Sequence, residues 1–314
     1  MKLKKPKFWD LKNPNILAFL LWPLSIFFKA ITKLKKRKKI KSKKIKTICL
    51  GNIYIGGTGK TSLAIKFKEI LDKNNIKTCF IKKFYSDQID EQRLLEKYGK
   101  LFTDKIRINA LNQAISENYE VAIFDDGLQD NHVDYDLNFV CFNNHNWIGN
   151  GFIIPAGPLR EDIKNLKYYD NVFLNGNNEN LENIKKQIKN LNPKINIYES
   201  KYSILNSENF NKNENYLAFS GIGNHQTFIN MLINEKFNIL ENLEFPDHYI
   251  YNDNDLDKIF IKSNKLNAKI ITTEKDYLRI DKSKSENIGF IKSEVKIIEE
   301  SKIINILINK NEKN

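Results

Sequence analysis

The chain has 314 residues, 41% of them hydrophobic, enough to bury a substantial core in one large or two ordinary domains. Its net charge of +13 first suggests nucleic acid, but residues 1–46 hold 16 Lys and Arg against one acid, Asp10, which leaves the other 268 residues at −2. A nearly neutral body argues against nucleic acid as a partner and confines the basicity to one terminal segment.

That segment comes first in the chain. Ile16 to Phe28, "ILAFLLWPLSIFF", is an uncharged apolar run containing Pro23 and Ser25. Thirteen residues of helix reach about 20 Å, short of a hydrocarbon core of about 30 Å. Lys33 to Lys46 then places ten basic residues in fourteen positions. The pair reads as a shallow membrane anchor whose lysines meet anionic headgroups on the cytoplasmic side. A cleaved signal peptide would need a small-residue cleavage site where the lysines stand. The plainer alternative is a buried N-terminal helix with a solvated charged face.

From Ile45 the pattern becomes α/β. "IKTICL" reads as a buried strand, "KTSLAIKFKEILDKNN" as an amphipathic helix and "KTCFIKKF" as a second strand. "EQRLLEKYG" and "ALNQAISEN" are predicted helical, "YEVAIFDD" is a strand ending on two acids, and "DLNFVCF" is another strand. Asn175–Lys194, rich in Asn and Lys, is expected to be surface between two lobes. A second set follows: "NYLAFSGIG", a helix from His225 to Glu235, "NAKIITTEKD" and "NIGFIKS". Strands alternating with helices predict a parallel sheet covered on both faces. The fold expected is therefore α/β: a P-loop NTPase-like parallel sheet flanked by helices, a second smaller α/β lobe and an N-terminal membrane-associating helix. The divisions fall at residues 1–44, 45–195 and 196–314. The three cysteines, Cys49, Cys79 and Cys141, lie singly in apolar runs, without zinc spacing, and read as reduced core residues.

"YIGGTGKT", Tyr54 to Thr61, meets the phosphate-loop pattern G-x-x-x-x-G-K-[ST] everywhere except its first position. It follows a strand and opens a helix, as a phosphate loop must. Gly56, Gly57 and Gly59, with Thr58 and Ser62 beside them, let backbone N–H groups face phosphate oxygens at a helix N-terminus. Lys60 would reach the β- and γ-phosphates of ATP and the Thr61 hydroxyl would hold Mg²⁺. A glycine-rich turn alone would explain the glycines but not Lys60-Thr61 in register. "VAIFDDGLQD" places Asp125 and Asp126 at the carboxyl end of a buried strand, where α/β sheets bind ligands. One acid beside Mg²⁺ is expected there; two acids followed by Gly127 and Gln129 exceed that requirement.

Three further strings are weak singly: "DEQRLL" from Asp90, "IPAGPLRED" with Arg160 and Glu161, and "FPDHYIY" with Asp247 and His248. In order, "GNIYIGGTGKT", "DEQRLL", "DDGLQ", "GNGFIIPAGPLRE", "FSGIGNHQTF", "FPDH" and "TTEKDYLR" resemble the tetraacyldisaccharide 4'-kinase family of lipid A synthesis, over most of the chain up to Arg279. The resemblance implies ATP- and Mg²⁺-dependent phosphorylation of the 4'-hydroxyl of a tetraacylated glucosamine disaccharide 1-phosphate, giving lipid IVA. The loop of that family also lacks the first glycine. The resemblance assigns Lys60 and Thr61 to the nucleotide, and pairs Asp90 with His248 at the acceptor hydroxyl. Asp125, Asp126, Gln129, Arg160 and Glu161 become metal, nucleotide or headgroup contacts, with Glu161 near the metal and Asp247 in support. "TTEKD", Thr272 to Asp276, is either structural or on the nucleotide side. A substrate with four acyl chains stays in the bilayer, which implies work at the cytoplasmic face of an inner membrane; no protein partner follows. The chain departs from the family where Lys83-Phe84-Tyr85 replaces "RGY" and where Asp130 replaces a histidine, with His132 the nearest substitute. A membrane-associated partitioning ATPase is the main rival, but its "KGGxGKT" loop requires a lysine where Ile55 stands.

Overall fold

The structure is a computed structural model that describes residues 5–34, 39–86, 89–176 and 181–309. In chain order its helices are α1 (Ile16–Leu34), α2 (Lys60–Lys73), α3 (Ile89–Tyr98), α4 (Arg107–Ser116), α5 (Leu181–Leu191), α6 (His225–Asn234), α7 (Asp253–Leu266), α8 (Glu274–Tyr277) and α9 (Glu300–Ile308). The strands are β1 (Ile40–Lys41), β2 (Lys46–Gly51), β3 (Thr78–Lys83), β4 (Leu101–Asp104), β5 (Val121–Asp125), β6 (Val133–Asp134), β7 (Leu137–Asn143), β8 (Asn171–Asn175), β9 (Asn196–Ile204), β10 (Asn215–Ser220), β11 (Asn238–Glu244), β12 (Lys269–Thr273), β13 (Ile288–Ile291) and β14 (Ser293–Ile297). They form two compact units, one of residues 5–85, 95–201 and 297 onward, the other of 86–94 and 202–296.

In the first unit, β9, β8, β7, β2, β5, β3 and β4 lie side by side in that order, each pair parallel. Their near-continuous apolar runs follow from burial on both faces. Phe67 of α2 meets Phe139 and Phe173 edge-on, with ring centroids 5.1 and 5.8 Å away. Lys46, at the start of β2, donates to the carbonyls of Ile306, Leu307 and Asn309 at the end of α9, satisfying groups a helix terminus leaves unpaired. Burial pushes the Cys79 thiol up to about 12 and holds Cys49 and Cys141 far above the ordinary range, so all three are inert free thiols.

The second unit carries a parallel sheet of order β11-β10-β12-β13. Alternation along β10 sends Tyr216 and Ala218 to the α6 side, with Phe228 and Leu232, and Leu217 and Phe219 to the α7 side, with Leu256 and Ile259. Asn252 and Asp255 form a reciprocal capping box that starts α7.

One expectation changes. Asn175–Lys194 is not merely surface between lobes: α5 occupies Leu181–Leu191 and buries Leu181, Ile184 and Ile188. The apolar side chains stand three and four apart, a helical period hidden among Asn and Lys. The apolar N-terminal run extends to a helix of 19 residues, and among the described residues no helix is long and apolar enough to cross a membrane. Residues 35–38 of the lysine block lie outside the described residues.

The missing glycine has a physical explanation. Gly56 and Gly59 take φ of +122° and +82°, conformations that favour glycine, whereas Tyr54 has no positive φ. Its side chain is 2% exposed, and its hydroxyl donates to Asp10 and accepts from Lys5 at 2.9 Å. Its backbone bridges Leu159 of the "PAGPLRE" segment, and Ile55 N donates to Pro158 O at 2.8 Å. Tyr54→Gly, which restores the common pattern, should therefore cost about 4 kcal/mol of stability. Thermal unfolding should read this as a melting temperature lower by about 10 °C, with no gain in ATP affinity.

Candidate active site

β2 ends at Gly51, and the chain turns through Asn52–Gly59 into α2, whose first residues are Lys60 and Thr61. Two carboxamides shape this turn. Asn52 Nδ2 donates to Tyr54 O at 2.6 Å and Gly56 O at 3.3 Å, while Asn175 Nδ2, at the end of β8, donates to Thr58 O. Ser200 donates in turn to Asn175 Oδ1, fixing its orientation. Gly56, Gly57, Thr58 and Gly59 thus form a braced loop ahead of the α2 N-terminus, with Ser62 in its first turn.

Asp125 ends β5, the strand beside β2, and has no exposure to water. Its Oδ2 accepts from Thr61 Oγ1 at 3.1 Å and from Lys82 Nζ at 2.8 Å. Asp126, next in the chain, has φ +64° and turns the other way. Arg160 Nη1 donates to both its carboxylate oxygens, at 2.9 and 3.0 Å, and Lys60 Nζ lies 3.8 Å away. Burial opposes the charge of Asp126, but Lys60, Arg160 and Lys82 overcome it and draw the carboxyl down to about 2.

Arg160 also donates to Gln129 Oε1 at 3.2 Å, and Gln129 Nε2 reaches Asn52 O at 3.0 Å and Glu161 Oε1 at 3.2 Å. Glu161 accepts further from Asn165 at 2.8 Å and Tyr169 at 3.0 Å. Asp126, Gln129, Arg160 and Glu161 therefore form one chain of contacts over the loop, while Thr61 and Asp125 form another. At the departure from the family pattern, Asp130 pairs with Arg107 at 3.1 Å and accepts from His132 N at 2.7 Å, with His132 Nδ1 3.2 Å away.

The residues fit a hard cation. Asp125 Oδ1 and Thr58 Oγ1 are buried oxygens with no hydrogen-bond partner, and the donors around them are a carboxylate and hydroxyls. Among the described residues no group of three His, Cys, Asp or Glu could hold a metal by itself. Magnesium does not need one, since it keeps waters and substrate phosphates among its ligands.

The second unit holds the other pair. Asp90, in the first turn of α3, lies 3.1 Å through both oxygens from His248 Nδ1 and accepts from Arg279 Nη2. The side chains of Asp90 and His248 are 5% and 19% exposed. Burial raises the Asp90 carboxyl, but the bond to His248 and the charge of Arg279 outweigh it and hold the carboxyl far below the usual carboxylate range. His248 takes φ +56°, and its N–H donates to Gly221 O at 3.0 Å and to Asp247 Oδ1 at 3.1 Å. Arg279 is anchored by Asp276 Oδ1 at 2.9 Å and Gly221 O at 2.6 Å. The fully buried Asp276 also accepts from Gly221 N and Tyr251 OH, both at 2.9 Å, and from Thr273 Oγ1 at 2.6 Å. Asp276 of "TTEKD" thus has a structural role. Lys82, Asn175 and Arg279 are the site residues that sequence reasoning missed; only Lys82, a lysine inside an apolar strand, carried a readable signal.

A family model described as tetraacyldisaccharide-1-P 4'-kinase matches residues 17–312. The chain belongs to this family. It is 62% identical over 314 residues, the whole of both chains, to the tetraacyldisaccharide 4'-kinase of Pelagibacter ubique. It is 36% identical over 303 residues to that of Rickettsia typhi, covering 90% of this chain and 91% of the relative. In fold it is similar to the LpxK of Aquifex aeolicus crystallised in complex with ATP: TM-score 0.68, 22% identity, 93% of this chain and 98% of that one. The resemblance read from "GGTGKT", "DDGLQ", "PAGPLRE" and "FPDH" is therefore borne out, and the chain is a kinase of this family.

The depressed carboxyls make a pH prediction. Asp126 titrates near 3.8 when unfolded and about 2 when folded. It contributes about 2 kcal/mol of stability, fully present above pH ~4 and lost as pH falls through the folded value. Denaturant unfolding at pH 6 and pH 3 should show about half of this contribution gone at the lower pH, and Asp126→Asn should abolish that share of the loss.

Proposed function

We propose that this chain transfers the γ-phosphoryl group of ATP to the 4'-hydroxyl of a tetraacylated glucosamine disaccharide 1-phosphate, making lipid IVA in lipid A synthesis. The observation that carries this reading beyond nucleotide binding is the Asp90–His248 contact, in a chain whose family phosphorylates a sugar hydroxyl. A sugar hydroxyl ionises poorly and needs a positioned base as the phosphoryl group arrives.

The geometry supports a role for each residue. Asp90 against Nδ1 selects the tautomer with its proton on that nitrogen, so Nε2 of His248 presents the lone pair to the acceptor hydroxyl. As Nε2 takes the proton, Asp90 stabilises the resulting imidazolium; its depressed pKa keeps it ionised for that purpose. Arg279 fixes the second carboxylate oxygen and prevents rotation. In the nucleotide site, the backbone N–H groups of Gly56–Thr61 and the Lys60 ammonium bind and orient the phosphates. Thr61 and Asp125 would hold magnesium, which when bound neutralises charge on the β- and γ-phosphates. Asp126 and Glu161, also expected near the metal, hold Arg160 and Gln129, the residues read as nucleotide or headgroup contacts.

The acceptor lies in a bilayer, and α1 has the surface to meet it. Ala18 and Ser25 face inward, with Ser25 Oγ donating to Ile153 O at 2.7 Å, whereas Ile16, Leu20 and Phe27 are 79%, 70% and 68% exposed. Such a face lies in the headgroup region rather than crossing it. The neighbouring lysines favour anionic lipid on the cytoplasmic face of the inner membrane, where ATP is available.

Radiolabel transfer from γ-labelled ATP to a tetraacyl disaccharide 1-phosphate in detergent is the decisive assay; folded protein that transfers no label overturns the assignment. Asp90→Ala and His248→Ala should each lower kcat about 10²–10⁴-fold while ATP affinity stays within about twofold. Equal collapse of ATP binding in both variants would remove the roles given to the pair. Leu20→Ser/Phe27→Ser should reduce co-sedimentation with anionic vesicles and leave ATP affinity unchanged.

A further inference from the structure

Lys82 on β3 stands directly across the parallel ladder from Asp125 on β5. Its ammonium donates at 2.8 Å to Oδ2, the same oxygen that accepts from Thr61 Oγ1 at 3.1 Å. The two charged side chains are 2% and 0% exposed. An ammonium group is costly to remove from water, and a strand position so deep in the sheet would ordinarily hold an apolar residue. Asp126 is paired directly with Arg160 and Lys60, whereas Lys82 acts on it only through space and makes its hydrogen bond to Asp125. Lys82 is thus aimed at Asp125, the carboxylate read above as a magnesium ligand.

We propose that Lys82 is a built-in counter-cation for Asp125, neutralising that carboxylate when no metal ion is bound and competing with magnesium for it. Lys82 is then a positioning residue that acts through Asp125 and sets how much magnesium nucleotide binding requires. Two cations on one carboxylate repel each other. A magnesium ion held by Asp125 would therefore weaken the Lys82 bond and would bind less tightly than to Asp125 alone. In the metal-free protein the same contact keeps a buried carboxylate from standing uncompensated.

The inference rests on the kinase reading of the phosphate site, and equilibrium binding of ATP with magnesium varied from excess chelator upward tests the two separately. Lys82→Gln should lower the magnesium concentration that half-saturates ATP binding by at least about tenfold, whereas Lys82→Arg should stay within about twofold of the unsubstituted chain. Melting temperature in chelator should fall for Lys82→Gln and recover more on adding magnesium with ATP than it does for the unsubstituted chain. Equal magnesium dependence in Lys82→Gln and the unsubstituted chain, or an equal shift with Lys82→Arg, overturns the proposal while leaving the kinase reading intact. Absence of ATP binding by the unsubstituted chain overturns both. Should Lys82→Gln fail to fold, Lys82→Gln/Asp125→Asn, which removes both charges, is compared with Asp125→Asn alone. The two must match in magnesium dependence, and a difference means that Lys82 acts elsewhere.

Discussion

A carboxylate with no access to water, at the carboxyl end of a central parallel strand, constrains the whole first unit. Asp125 can remain there only with compensation, and its partners come from the two neighbouring segments of the fold: Lys82 on β3 and Thr61 on α2. Because Asp125 faces Leu50 on one ladder and Lys82 on the other, a register slip of one residue would turn one of these side chains to the opposite face. The buried pair therefore specifies sheet register as well as local charge. The phosphate loop is placed by the same arrangement, since the hydroxyl that touches Asp125 belongs to the first turn of the helix that the loop opens.

The second unit solves a similar problem in a different way. Asp276 is fully buried, and it gathers a backbone N–H, a tyrosine hydroxyl, a threonine hydroxyl and a guanidinium. Arg279 passes this rigidity to Asp90, and Asp90 passes it to His248. For the base role proposed for His248, a fixed ring matters more than a strongly basic one, because misplacement by an ångström costs more rate than a modest change in basicity. The positive φ of His248 belongs to this design. A non-glycine residue in that region persists where surrounding contacts hold it, here through its N–H to Gly221 O and the ring to Asp90.

Local signals decided what was legible in the sequence. β2, α2, β3, β5 and β7 stand within one or two residues of their predicted places because long apolar runs and the glycine-rich turn mark them unambiguously. α5 and α7 were missed because few of their apolar residues are fully buried, Leu181, Ile184 and Ile188 in α5 and Leu256 and Ile259 in α7, in a background of Asn and Lys. β11, whose side chains are exposed or only partly buried, offers no core pattern to read. In the site, contacts between neighbouring motifs, such as Arg160 with Asp126 and with Gln129, were approachable through motif order. Asn175 with Thr58, and Arg279 with Asp90, join positions more than a hundred residues apart, and nothing in their local sequence announces them.

Tyr54 shows why a motif is better read as a set of backbone requirements than as a string. Glycine is needed where φ is positive or where phosphate oxygens approach the backbone, and Gly56 and Gly59 meet the first need. The first position of this loop has neither requirement. It is instead a bridge, by backbone to Leu159 and by hydroxyl to Asp10 and Lys5. A side chain there ties the loop to the "PAGPLRE" segment and to the residues that lead into α1. A glycine would leave those ties unmade and add freedom that folding must remove. The tyrosine thus gives the loop an anchor outside its own sequence, which a loop shaped mainly by glycines needs if its N–H groups are to stay aligned before the nucleotide arrives.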